Sequence, residues 1–231
     1  MTTVVVLAEA LETGRPLPTL REQLDSDRVD ALYEAMLCDV CTAIQHGDAD
    51  LLVNYPDPET LPEGSDPEAE LRDLVGPAVE DPDAVRYEVQ VGASRAAKIG
   101  NAVTHLLESE SEETAAAVEP TAPFLRREQI GSAAMKLRSS QVVLGPAPDG
   151  RVYYAGFREP IEFEGAYESP ALETLTHRAT TAGYDVDFLS MLPLLESPRD
   201  IETAASLLRA RAAAERIVPA KTTAWFAEYE G

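Results

Sequence analysis

Short apolar runs recur along the chain between proline, glycine and acidic residues, and they predict β-strands. The first of them, Thr3–Ala8, is rich in valine, which is typical of a strand buried inside a sheet. The same criteria predict strands at Thr3–Ala8, Leu51–Tyr55, Val85–Val91, Thr114–Val118, Gln141–Leu144, Val152–Phe157 and Val186–Leu189. The run at 152–157 is expected to lie antiparallel to a neighbouring strand.

Between these runs, apolar residues repeat every three or four positions, which predicts amphipathic helices. The helices are expected at Asp27–Gln45, Pro67–Leu74, Ser94–Leu107, Leu125–Leu137, Ala171–Ala182 and Arg199–Ala214. The alternation predicts an α/β fold, a Rossmann-like three-layer sandwich with a mixed, mainly parallel sheet of about six or seven strands. We expect one domain at 1–215, with 216–231 as a C-terminal tail packed on it.

The charge of the chain narrows the classes of ligand. Asp and Glu total 41, Lys and Arg total 19, and the formal net charge is -22. Such a surface repels nucleic acids and anionic membranes, so neither is expected as a partner. An acidic, lysine-poor protein that is still 45% hydrophobic is typical of a halophile. No signal peptide and no membrane span are recognisable, which predicts a cytoplasmic protein.

Two cysteines, Cys38 and Cys41, have the spacing of a redox pair. They lie within the predicted helix 27–45, beside its apolar face, where cysteine is a common small core residue. Two thiols alone cannot complete a four-ligand zinc site. Packing is therefore the favoured interpretation, and a redox or metal role is the alternative.

Ligands of open parallel sheets bind at the carboxyl ends of the strands. A ligand is therefore expected at the loops that follow Ala8, Tyr55, Val91, Val118 and Leu144. By the same rule, Asp185-Val186-Asp187 is not expected to bind metal, although it has an Asp-x-Asp spacing, because it opens a strand at the opposite edge.

The sequence of one of these loops resembles a segment found in a known protein family. Leu144-Gly145-Pro146-Ala147-Pro148-Asp149-Gly150, followed by Tyr153-Tyr154 and Gly156-Phe157, resembles a segment of a family in the glycosyltransferase-A superfamily. That family has a nucleotide-diphospho-sugar transferase fold and is related to small nucleotidylyltransferases, including the 2-phospho-lactate guanylyltransferases. The resemblance spans about residues 3 to 209. Supporting matches are Val118–Leu125, Gln90-Val91-Gly92 and Leu195–Ile201.

The resemblance implies a protein that binds a nucleotide or nucleotide sugar and transfers a glycosyl or nucleotidyl group. It implies nucleotide-binding roles for Ala8, Glu9, Gly14, Arg15, Gly92, Arg95, Lys98 and Thr121. It also implies that Glu119, Asp149 and Glu196 hold Mg²⁺ or Mn²⁺ against a diphosphate, because a metal neutralises the leaving group. Asp149-Gly150 alternatively forms only a turn, which Asp-Gly favours between strands.

Several positions depart from the family pattern. Leu17 and Thr19 stand where the family has basic residues for phosphate, and Thr121 replaces the aspartate of its Ser-Asp-Ser-Pro motif. Leu194 replaces the first aspartate of the closing motif. These losses leave two alternatives open: a metal-dependent transferase, or a non-catalytic relative that keeps the fold and acts as a binding or interaction protein. The catalytic residues are not assigned by the sequence.

Overall fold

The computed structural model of the chain describes residues 2–11 and 16–229, the last of these without its side chain. Its strands are β1 (Thr2–Leu7), β2 (Asp50–Tyr55), β3 (Arg86–Val89), β4 (Thr114–Val118), β5 (Val142–Pro146), β6 (Val152–Phe157) and β7 (Val186–Phe188). Its helices are α1 (Pro18–Arg21), α2 (Ser26–His46), α3 (Pro67–Val75), α4 (Arg95–Thr104), α5 (Arg127–Lys136), α6 (Ala171–Thr181), α7 (Pro198–Ala213) and α8 (Ala220–Tyr229). Within these two ranges no helix is long and apolar enough to cross a membrane.

The strands form one seven-stranded sheet in the order β3-β2-β1-β4-β6-β5-β7. Every pairing is parallel except those of β6, which runs antiparallel to both β4 and β5. The predicted fold class, a mixed and mainly parallel α/β sheet, is confirmed. Six strands therefore end at one edge of the sheet, and β6 begins there. We call this the carboxyl edge.

Alternate residues of β1 serve two separate cores. Val4 and Val6 pack with α2, α5 and α7, whereas Val5 and Leu7 pack with α4 and α6. We call these two sides of the sheet the α2 face and the α4 face. Because a buried strand must be apolar on both sides, β1 shows a continuous valine run instead of alternation with polar residues.

The C-terminal tail forms a helix that the sequence pattern did not predict. The Asp39 carboxylate, in the middle of α2, accepts hydrogen bonds from the backbone N–H groups of Lys221 and Thr222 at 3.1 and 2.7 Å. Trp225 Nε1 donates to the Arg28 carbonyl oxygen at 3.0 Å. The first turn of α8 is thus stabilised by a carboxylate about 180 residues away in sequence.

Both cysteines are buried and free in α2. Burial raises the pKa of Cys38 to about 11, and its Sγ lies 3.5 Å from the Leu74 carbonyl oxygen. Burial also raises the pKa of Cys41. Because the thiolate is the reactive form, these environments favour packing over redox chemistry.

The hairpin of β5 and β6 depends on a glycine that faces a buried ring. A Cβ on Gly145 would lie 2.5 Å from Cζ of Tyr153, whose side chain is fully buried. The substitution Gly145→Ala should lower the free energy of unfolding by about 1–3 kcal/mol, because the packed ring must shift. Chemical denaturation at fixed salt concentration measures this change.

Gly131 in α5 is the matched control, since a Cβ there meets nothing within 4 Å. Gly131→Ala should raise the free energy of unfolding by about 0.5–1 kcal/mol, because alanine restricts the unfolded chain and suits a helix. Equal effects of the two substitutions would contradict the packing described for the hairpin.

Candidate functional site

The ends of β1 and β2 are joined by a buried glutamine. Gln90 follows β3, and its Nε2 donates to the carbonyl oxygens of Ala8 and Asn54 at 2.7 and 2.9 Å. Its own backbone N–H donates to the Tyr55 carbonyl oxygen at 2.7 Å. Gln90 therefore satisfies the last carbonyl groups of two strands and fixes one side of the carboxyl edge.

The loop after Gln90 approaches the start of α4 closely. Gly92 has a φ of +136°, and a Cβ there would lie 2.9 Å from the backbone of Ala97 and Lys98. Ser94 caps the helix, with its Oγ accepting from the Ala97 N–H at 3.2 Å. A glycine is required here by both the backbone angle and the space, and the positive end of α4 points toward the carboxyl edge.

A cavity of about 300 Å³ opens at this place. It lies between the loops that follow β2 and β3 and the first turn of α4. Its lining residues are Pro56, Asp57, Thr60, Val89, Gln90, Val91, Gly92 and Lys98. The structure therefore brings Gly92 and Lys98, both predicted to bind a nucleotide, into one cavity.

Arg95 and Glu119 form an ion pair beyond the ends of α4 and β4. The Arg95 guanidinium, about two-fifths exposed, donates to the Glu119 carboxylate, which is 12% exposed. Burial raises the pKa of Glu119, and the nearby Arg95 only partly opposes this effect. The Tyr167 hydroxyl, close enough for both charges to act on its pKa, is buried with no hydrogen-bond partner among the described residues.

A second ion-pair cluster lies where β6 begins. Arg151 donates to both oxygens of Asp200 at 2.9 and 3.0 Å and to Glu196 at 3.0 Å. Glu196 also accepts from the Thr121 hydroxyl at 2.8 Å. The loop after β4, the start of β6 and the start of α7 are thus tied together at one guanidinium.

Asp200 also closes the first turn of α7. Its Oδ2 accepts from the backbone N–H groups of Glu196 and Ser197, and the Ser197 Oγ accepts from the Asp200 N–H in return. Burial alone would raise the pKa of Asp200, but the hydrogen bonds from Arg151, Glu196 and Ser197 outweigh it and lower the pKa. This carboxylate is therefore a charged, structural group.

Asp149 lies in the turn between β5 and β6. Its φ and ψ of 62° and 31° are left-handed, and Gly150 follows with a φ of +70°. The side chain is 76% exposed, and its closest basic group is Arg151 at 3.9 Å. The turn interpretation of Asp149-Gly150 explains this geometry.

The three residues implied as metal ligands do not fit a metal site in this arrangement. Glu119 is neutralised by Arg95, Glu196 by Arg151, and Asp149 is turned toward solvent. Across 2–11 and 16–229, no three His, Cys, Asp or Glu side chains form a group that could hold a metal ion.

Of the other implied nucleotide-binding residues, those that the structure describes do not line the cavity beside α4. Ala8 is buried and engaged by Gln90, and the exposed Glu9 uses its N–H to bond the Tyr33 hydroxyl at 2.8 Å. Thr121 is buried against Glu196. Gly14 and Arg15 lie outside the described residues. The Asp185-Val186-Asp187 run lies at the opposite edge, where Val186 pairs with the first residue of β5.

Sequence reasoning did not assign roles to Gln90, Arg151, Tyr33 or Tyr167. Two features of the sequence could have indicated the ion-pair cluster around Arg151. Arg151 directly follows the Asp-Gly turn, and Ser197-x-x-Asp200 has the spacing of a helix capping box. The ion pair between Arg151 and Asp200 could not be predicted from local sequence, because the two residues are 49 positions apart.

The Arg151–Asp200 pair predicts a pH-dependent stability. Because the folded pKa of Asp200 is lowered, its stabilisation is present above the unfolded pKa of about 3.9 and is lost as pH falls through the folded value. Asp200→Asn should cost about 1–3 kcal/mol at pH 7, and the difference from wild type should vanish in acid. Denaturant unfolding at a series of pH values measures it, and a pH-independent difference would contradict the assignment.

Comparison with known proteins extends the description of the fold. No model of a protein family matches the sequence, and no curated protein is significantly similar to it. Among solved structures, a candidate nucleotide-diphospho-sugar transferase from Desulfovibrio desulfuricans superimposes with a TM-score of 0.78 at 18% identity, covering 99% of this chain and 95% of that one. A 4-diphosphocytidyl-2C-methyl-D-erythritol synthase from Anaerococcus prevotii has a TM-score of 0.54 at 12% identity, covering 90% of this chain and 96% of that one.

These likenesses extend over nearly the whole chain and include the sheet and its helices. They agree with the resemblance carried by the segment Leu144–Gly150. The chain therefore has the fold of the nucleotide-diphospho-sugar transferases.

Proposed function

We propose that the chain binds a nucleotide or nucleotide sugar at the carboxyl edge of the sheet. The observation that carries this proposal is the cavity of about 300 Å³ between the loops after β2 and β3 and the first turn of α4. Its volume is at the lower end of the range of small-molecule sites. Its position at the carboxyl ends of the strands is where α/β sheets bind ligands.

The charges around the cavity suit phosphate. Lys98 lines the cavity, Arg95 occupies the first turn of the same helix, and the positive end of α4 lies beside both. In a chain of net charge -22, an anion needs such a local group of positive charges to approach. Pro56 and Val91 supply apolar walls for a base, and Asp57 and Thr60 supply polar groups for a ribose.

Arg95 is the guanidinium best placed to move to a phosphate. Arg151 is held by Asp200 and Glu196 together, whereas the guanidinium of Arg95 bonds Glu119 and is about two-fifths exposed. We propose that a bound diphosphate takes Arg95 from Glu119. The charge of the diphosphate is then offset by a guanidinium, which is the electrostatic role that this chemistry requires.

In the transferase alternative, Glu119 accepts the proton of the acceptor hydroxyl. Burial raises the pKa of Glu119 and Arg95 lowers it, so the pKa rises further when Arg95 moves away. A raised pKa suits a general base. An acceptor hydroxyl attacks the α-phosphorus of a nucleoside triphosphate, and its proton passes to Glu119. A new bond forms between the acceptor oxygen and the α-phosphorus, the bond from the α-phosphorus to the bridging oxygen breaks, and inorganic pyrophosphate leaves. In the non-catalytic alternative, the same cavity binds the nucleotide and no group is transferred.

The binding proposal predicts a loss of affinity when the lysine of the cavity is removed. Lys98→Met should weaken nucleoside triphosphate binding by about 10- to 100-fold, because one charge-assisted contact to phosphate disappears. Thermal shift and calorimetric titration with the four common ribonucleoside triphosphates, each with Mn²⁺ and with chelator, measure this effect. Binding by wild type should persist in chelator.

Lys221→Met is the matched control, since Lys221 is one of only three lysines and lies at the start of α8. Its affinity should equal that of wild type. Equal affinities of all three proteins, or no binding at millimolar nucleotide, would contradict the proposal.

The two alternatives differ in one measurable property. If the chain is a nucleotidyltransferase, wild type should release pyrophosphate in the presence of a suitable acceptor, and Glu119→Gln should bind nucleotide but lose at least about 100-fold in rate. A colorimetric pyrophosphate assay with a panel of hydroxylated and phosphorylated acceptors measures it. Glu113→Gln, at the opposite edge beside the first residue of β4, is the control.

Nucleotide binding without turnover for any acceptor would favour the non-catalytic alternative. Equal turnover by wild type and Glu119→Gln would remove Glu119 from the mechanism.

A further inference from the structure

A second cavity, larger than the one beside α4, lies away from the carboxyl edge. It has a volume of about 700 Å³ and lies on the α2 face. Its walls are the second half of α2, the segment 123–128 that leads into α5, Arg211 near the end of α7, and the segment 217–220 before α8. It shares no lining residue with the cavity beside α4.

Arg211 reaches this cavity without a carboxylate partner among the described residues. Its guanidinium carbon lies 5.4 Å from the centre of the Phe124 ring, a cation–π contact. Burial lowers the pKa of Arg211, and the positive charge of Arg126 lowers it further. Both guanidinium groups line the cavity, close enough for the charge of Arg126 to act on Arg211.

The side chain of Arg126 has a hydrogen-bond donor, Nε, that lacks an acceptor among the described residues. Its Nε is shielded from solvent and makes no hydrogen bond within the part of the chain that the structure describes. The Glu128 carboxylate is 3.7 Å from this nitrogen, beyond hydrogen-bonding distance. A buried donor of this kind is costly unless an acceptor from outside the chain satisfies it. Arg127, next in sequence, lines the same cavity.

Four acidic residues also line the cavity: Asp39, Asp48, Glu80 and Glu128. Asp39 is occupied by the backbone N–H groups that begin α8, at 2.7 and 3.1 Å. The Glu80 carboxylate lies 4.0 Å from His46. Arg211 thus has no ion pair within the described ranges, and Arg126 has only the 3.7 Å contact with Glu128.

We propose that this cavity binds a small organic anion, with its phosphate or carboxylate group between Arg126 and Arg211. Guanidinium groups bind either oxyanion through paired hydrogen bonds, and such an anion supplies the acceptor that Arg126 Nε lacks. Ile217, which is 68% exposed, and Pro219 form an apolar wall for the rest of the ligand. The volume of the cavity is typical of a small-molecule site.

The proposal is tested by the response of thermal unfolding to two probes, inorganic phosphate and citrate, at constant ionic strength. Wild type should show a saturable rise in Tm with at least one probe. Arg211→Met and Arg126→Met should each raise the apparent Kd by about tenfold or more. Without either probe, Arg211→Met should keep or raise the Tm, because it removes a charge that repels Arg126.

Arg199→Met is the matched control, because Arg199 lies in the same helix as Arg211 but at its other end. Its Kd should equal that of wild type. A response to phosphate alone assigns a phosphoester ligand, and a response to citrate alone assigns a carboxylate. No saturable response, or a response that Lys98→Met abolishes and Arg211→Met leaves unchanged, would overturn the proposal.

Discussion

The contact between Arg151 and Asp200 joins separate segments of the chain at the carboxyl edge, the edge on which the candidate site lies. Arg151 immediately precedes β6, which runs antiparallel to both of its neighbours, and Asp200 belongs to the first turn of α7. The same guanidinium fixes Glu196, which in turn fixes Thr121 in the loop after β4. Three separate segments at the carboxyl edge depend on one side chain, and the lowered pKa of Asp200 shows that these contacts favour its charged form.

This arrangement decides what chemistry the edge can support. A carboxylate that already accepts hydrogen bonds from a guanidinium is a poor metal ligand, because metal binding must first break an ion pair. Glu119 and Glu196 are both in this state. Positive charge at the edge therefore comes from arginine and lysine side chains and from the start of α4. In a strongly acidic chain, the positions of its few uncompensated cations are the clearest indication of where an anion binds.

The sequence was sufficient to predict those strands and helices whose formation depends on the local pattern of apolar residues. The valine run of β1 is buried in the cores on both faces of the sheet, and the apolar stripe of α2 packs into the core of the α2 face, so the local pattern was sufficient to find both elements. Helix α8 was missed because its first turn depends on Asp39, a distant residue of α2. Likewise, the Asp149-Gly150 segment was recognised as a motif, but its neighbour Arg151 was not assigned a role, because its partners are contributed by another helix.

Hydrogen–deuterium exchange of the full chain, with and without a saturating nucleoside triphosphate, tests the central claim most directly, because it locates the ligand. The account predicts slower exchange of the backbone N–H groups at 90–98, where Gln90, Gly92 and the first turn of α4 surround the cavity. Unchanged exchange in this segment, or slowing confined to the segments that contain Arg126 and Arg211, would contradict it.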